Sequence, residues 1–118
     1  MVAGPKLTRG GVYLACLDPA RGAEVGKLRP VVVLTAQEIL DVEPPFVFVC
    51  PLSSRSDPAY EALHVKLAPR ADLRVESHAL AEHCRTVSVR RLRPARLAQL
   101  DPSEIAAILR KLQRLLGA

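Results

Sequence analysis

Short apolar stretches follow one another along this chain with almost no helical periodicity between them, and that spacing narrows the folds open to it. "VYLACL" (Val12 to Leu17) reads as a first strand and "RPVVVLT" (Arg29 to Thr35) as a second, with Pro30 at its first position, where a missing N–H does least harm. "FVFVCPL" (Phe46 to Leu52) is nearly all apolar and so predicts a central third strand. Between the second and third, "AQEILD" can make a turn or two of helix before Pro44 and Pro45 stop it. "LHVKLA" (Leu63 to Ala68) alternates, which sets His64 and Lys66 on a solvent face. Two more strands are expected near Ser77 to Ala81 and Cys84 to Val89. Only the end of the chain has the helical period. In "LDPSEIAAILRKLQRLLGA", Asp101 can cap, Pro102 suits the first helical position and Glu104 completes a capping box. Ile105, Ile108, Leu109, Leu112, Leu115 and Leu116 then form one apolar stripe. Strands without helices between them exclude a doubly wound sheet. The pattern predicts one domain over residues 1–118, mainly β with α (α+β). It is a small, strongly curved antiparallel barrel of five to seven strands with the C-terminal helix packed on its side.

The stretch "RGAEVGKLRPVVVL" carries the chemistry. A loop of Gly and charge, Asp18 to Lys27, delivers Arg29 to the mouth of a buried strand. The connection Ala36 to Pro45 suits antiparallel neighbours, so the start of the second strand should lie beside the end of the third. The start is Arg29; the end is Leu52, followed by Ser53, Ser54 and Arg55. An arginine and a serine pair are therefore expected at one rim, with the loop arching over them. Arginine keeps its proton near neutral pH, which makes it a fixed clamp for a phosphate gathering charge and a poor base. A neighbouring hydroxyl can donate to a phosphoryl oxygen or orient an attacking hydroxyl. On RNA the attacker can be the substrate's own 2′-OH, and no carboxylate cluster in the sequence calls for a metal.

Lys and Arg number 17 against 12 acids, a net charge of +5, which fits a polyanionic partner and equally a basic solvated surface. Aromatics make up 3% with no Trp, which argues against base-stacking platforms. The three cysteines, Cys16, Cys50 and Cys84, lack zinc spacing and read as buried thiols of a reducing compartment. No signal peptide or membrane-spanning stretch is apparent, so a cytoplasmic protein is expected.

The segments "RGGVYLACLDPARGAEVGKLRPVVVL", "CPLSSR" and "ALAEHCRTVSVRRL" resemble, in order and over nearly the whole chain, the MazF/PemK family of toxin endoribonucleases. The resemblance implies an SH3-like barrel with an accompanying helix, as in the MazF and CcdB toxins, working as a homodimer. It implies the toxin component of a type II toxin–antitoxin system: a sequence-specific mRNA interferase that cleaves single-stranded RNA without metal or other cofactor. The products would be a 2′,3′-cyclic phosphate and a 5′-hydroxyl. The family's catalytic pair falls on Arg29 and Ser53, with Ser54 the neighbouring alternative. RNA contacts are expected from Glu24, Lys27, Ser54, Arg55, His83 and Arg85. The partner implied is an acidic, MazE-like antitoxin encoded nearby.

The chain departs from the family pattern at Gly11, Ala23, Val25, His83 and Ser88, positions that bear on loop hydrogen bonds and RNA contacts. His83 stands where the family usually has Gln, which favours hydrogen bonding to RNA over a catalytic role as base. Arg90, Arg91, Arg93 and Arg96 read as a solvated basic edge. The alternatives are a non-catalytic CcdB-like binder of a protein such as DNA gyrase, or a degenerate toxin that binds RNA without cutting it.

Overall fold

The structure is a computed structural model that describes residues 6–118. Among the described residues there are seven strands: β1 (Gly11–Cys16), β2 (Leu28–Val33), β3 (Phe46–Ser53), β4 (His64–Leu67), β5 (Ser77–Leu80), β6 (Arg85–Ser88) and β7 (Leu92–Gln99). A single-turn helix α1 (Gln37–Leu40) lies between β2 and β3, and α2 (Pro102–Leu116) ends the chain. The strands hydrogen-bond in the order β4-β5-β3-β2-β1-β7, all antiparallel, with β6 also on β3. The expected fold class holds, with one refinement: the curved sheet does not close into a continuous barrel, because β4, β6 and β7 each pair on one side only.

β3 is shared between two partners. Phe46 to Val49 pair with β6, whereas Leu52 and Ser53 pair with β5. Pro51 stands at the changeover, so its missing N–H falls where the ladder changes hands. Strand alternation then divides the apolar residues between two faces. Val12, Val32, Cys50, Leu52 and Ala79 pack in one cluster with Ile108 of α2. Tyr13, Val31, Val33, Val47, Val49 and Val87 pack in the other.

β7 is the strand that the sequence hides: "LRPARLAQ" carries Pro94 and two arginines, and only Ala98 of it is buried. As an edge strand on β1 with two register shifts, it tolerates these residues where a central strand would not. The basic run expected to be a simple solvated edge is therefore part strand, and Arg91 Nη1 donates to the carbonyls of Cys16 and Asp18 at 3.1 and 2.6 Å.

α2 begins where the capping box puts it. Asp101 Oδ1 accepts from Glu104 N at 2.9 Å, and Glu104 Oε1 accepts from Asp101 N at 3.0 Å. Gly117 ends it at φ 72°, a left-handed cap. Of the expected apolar stripe only Ile108 is fully buried, and Leu115 and Leu116 are exposed. The cysteines differ in the same way: Cys50 is buried, Cys84 half-buried and Cys16 exposed, so Cys16 corrects the expectation of buried thiols. A hydrogen bond with Cys84, then burial, pushes the Cys50 thiol well above its ordinary range.

Candidate active site

The β1–β2 loop is held in shape by its own residues. Asp18 Oδ1 accepts from Lys27 N at 2.7 Å, and Lys27 O accepts from Leu17 N at 2.9 Å, which clasps the two ends of the loop together. Within it, Glu24 Oε1 accepts from Arg21 N at 2.8 Å. Glu24 and Lys27, both expected to touch RNA, are exposed on this loop. Arg29 follows as the second residue of β2, paired with Ala15 of β1 and half-buried. Its Nε donates to Gly26 O at 3.0 Å, so the loop holds the guanidinium from one side and leaves the rest of its fork free for an anion.

The β2–β3 register pairs Val31 with Pro51 and Val33 with Val49. Continued by two residues, it sets Arg29 across from Ser53, on the same face of the sheet. Ser53 is half-buried at the end of β3, and its Oγ accepts from Arg55 N at 3.1 Å. Among the described residues no hydrogen bond joins Arg29 to Ser53 directly. Ser54 and Arg55 are exposed in the turn that follows.

Arg85 opens β6 and pairs with Val49, which puts it on the same face as Ser53 but roughly 13 Å further along β3. His83 ends the 3-10 turn Ala81–His83 between β5 and β6, outside the ladder. By strand register the expected site residues fall into a near group, Arg29, Ser53, Ser54 and Arg55, with Gly26 of the loop against Arg29, and a far group, His83 and Arg85. Neither of two surface hollows belongs to them. One of about 320 Å³ is lined by Leu7, Leu40, Pro44, Val89 and Leu92, and a wider one by Arg9, Gln37, Gln99 and Ile105.

A buried polar node that the sequence did not reveal lies behind the Ser53–Arg55 turn. His64 is on the face expected from the alternation, yet it is 8% exposed. Its Nδ1 shares a hydrogen with Ser56 Oγ at 2.7 Å, and its Nε2 faces Glu82 Oε2 at 2.7 Å. Ser56 precedes His64 by eight residues and Glu82 follows it by 18, in the turn after β5, and strand periodicity alone could not have signalled either. Among the described residues, no three His, Cys, Asp or Glu side chains gather as metal ligands, and no helix is long and apolar enough to cross a membrane.

Comparison with known proteins adds a second line of evidence. The family model of PemK-like, MazF-like toxins of type II toxin–antitoxin systems matches residues 8–116. The chain is similar to MazF from Deinococcus radiodurans, at 29% identity and TM-score 0.76, covering 100% of this chain and 99% of that one. It is similar at 28% identity and TM-score 0.72 to one MazE–MazF structure (Form-II) from the same organism, covering 95% and 96%. An endoribonuclease from a Mycobacterial species shares the fold at 18% identity and TM-score 0.72, covering 97% and 94%.

Proposed function

Because the chain belongs to the PemK-like, MazF-like toxin family of type II toxin–antitoxin systems, whose members are endoribonucleases, we propose that it cleaves single-stranded RNA at short sequences. The 2′-oxygen attacks the adjacent phosphorus, the P–O5′ bond breaks, and a 2′,3′-cyclic phosphate and a 5′-hydroxyl result. Arg29 clamps the phosphate as negative charge builds on its oxygens, and Ser53 donates to a phosphoryl oxygen or orients the attacking hydroxyl. The observation that supports this reading is the β2–β3 register, whose continuation past Val31–Pro51 leads to Arg29 on one strand and Ser53 on the other. Glu24 and Lys27 on the β1–β2 loop and Ser54 and Arg55 after β3 are exposed and suit the flanking nucleotides, while His83 and Arg85 suit bases or phosphates further along the strand. The working unit is a homodimer. The partner that silences it is an antitoxin whose acidic segment competes with RNA for the same arginines.

The test is incubation of the purified protein with a long RNA in EDTA, with the 5′ ends of the fragments mapped. Cleavage at a short recurring sequence with 5′-hydroxyl ends is expected. Arg29→Ala should lower the rate by about 100-fold or more, the scale of losing one transition-state donor. Near-wild-type cleavage by that variant would overturn the assignment.

A further inference from the structure

The register brings one more reactive group to the Arg29–Ser53 line. Ser53 of β3 pairs with His78 of β5, and His78 pairs with Lys66 of β4. Residues directly opposite in antiparallel strands project to one face with Cβ atoms about 4.5–5.5 Å apart. Ser53, His78 and Lys66 therefore form a row across β3, β5 and β4, and continuing the β2–β3 register two residues past Val31–Pro51 brings Arg29 to its end. On either side of His78 in sequence, Ser77 and Ala79 are buried and turn to the opposite face, whereas His78 itself is half-buried.

Attack by a 2′-hydroxyl needs a group that removes its proton, and the other members of the row cannot serve. The guanidinium of Arg29 and the ammonium of Lys66 are donors without an acceptor atom, and a serine hydroxyl is a weak base. Imidazole is the side chain that exchanges a proton near neutrality. Of the other two histidines, His64 has both ring nitrogens engaged by Ser56 and Glu82, and His83 lies in the turn beyond β5. We propose that His78 is the general base of the reaction and so a catalytic residue beside Arg29 and Ser53. The proposal rests on the endoribonuclease reading above.

In the step, the 2′-O–H bond breaks and its proton goes to a ring nitrogen of His78. The freed pair on the 2′-oxygen forms the bond to phosphorus. The P–O5′ pair leaves with the 5′-oxygen, which takes a proton from water, and the imidazolium returns its proton to the resulting hydroxide. No net proton is gained or lost. The groups facing His78 are Ser53 from β3, Lys66 from β4 and Arg29 beyond Ser53 on β2. Glu76, on the approach to β5, faces Lys66 at 3.6 Å.

The experiment measures kcat and KM for RNA cleavage across pH, with wild-type protein, His78→Ala and His78→Gln, each checked for a native melting transition. Gln keeps much of the bulk and a hydrogen bond but accepts no proton at working pH. Both variants are expected to lose about 100- to 10,000-fold in kcat with little change in KM. The fall in rate on the acid side, where the base is protonated, should vanish with them, and added imidazole should partly restore His78→Ala. Cleavage positions should not change. Wild-type cleavage combined with a His78→Gln kcat within threefold of it, or a loss confined to KM, overturns this proposal alone. Failure of the wild-type protein to cut RNA overturns the endoribonuclease reading and this proposal together.

Discussion

A methyl group at Gly26 would lie 2.5 Å from Asp18 Oδ1 and 2.8 Å from the Ala20 Cβ, closer than real side chains approach. Asp18 can swing aside, but it then gives up the hydrogen bond from Lys27 N that clasps the β1–β2 loop. Gly26 is also the residue whose carbonyl holds Arg29. Gly26→Ala should therefore cost about 1 kcal/mol of stability, one net hydrogen bond, and lower RNA cleavage well beyond what that loss of folded protein explains. A denaturant melt and a cleavage assay on the same preparation check it; full activity with a lowered melt would show that the loop does not hold Arg29 in its working position. At this scale the sequence was most informative about backbone and least about burial. Arg29 could be placed because a strand start and a strand end are legible from Pro30 and from the turn after Leu52. His64 could not, because alternation names a face and says nothing of what folds over it.

Among the elements, α2 shows how local and long-range chemistry share one carboxylate. Glu104 closes the capping box with Asp101 and also meets Arg70, whose Nη1 and Nη2 both donate to it, the latter at 2.6 Å. The hydrogen bonds from Arg70 hold the Glu104 carboxyl below its usual range, and the hydroxyl of Ser103, then Glu104 N, does the same for Asp101. A depressed folded-state value means stability present above the ordinary carboxylate range, about pH 4, and lost as pH falls through the lowered values. Melting temperature should therefore drop on acidification below about pH 4, and Glu104→Gln should be less stable at neutral pH yet flatter in that acid limb. A variant that loses stability equally at pH 7 and pH 3 would show that the charge of Glu104 is immaterial. The cap was legible because Asp-Pro-x-Glu is a local code. Arg70 was not, because its partnership spans distant sequence. β7 was hidden for the opposite reason: its own residues argue against a strand, and only pairing with β1 makes it one.

At the scale of the whole molecule, Leu28, Val42, Phe46, Tyr60, Leu115 and Leu116 remain exposed on a chain of net charge +5. Large apolar side chains left in water favour a second copy as cover, and a homodimer is the expected state in solution. Light scattering at micromolar concentration should return twice the chain mass, and a monomer there would contradict it.

The change of partner along β3 has a consequence for how such a site comes and goes. In the strand ladder only Leu52 and Ser53 pair β3 with β5, while Leu67 and Ala79 of the β4–β5 hairpin also pack in the core with Ile108 of α2; the hairpin carries His78 and Lys66. Local opening in proteins runs along such thin seams, as cooperative pieces that detach and reseat while the remainder stays folded. If this hairpin lifts, His78 and Lys66 leave while Arg29 and the end of β3 stay, so clamp and base part company without any unfolding of the main sheet. An RNA spanning the row would touch both pieces and hold the seam shut. On the proposed mechanism, bound RNA would then complete the arrangement of clamp and base, and amide exchange in β4 and β5 should slow when RNA is added.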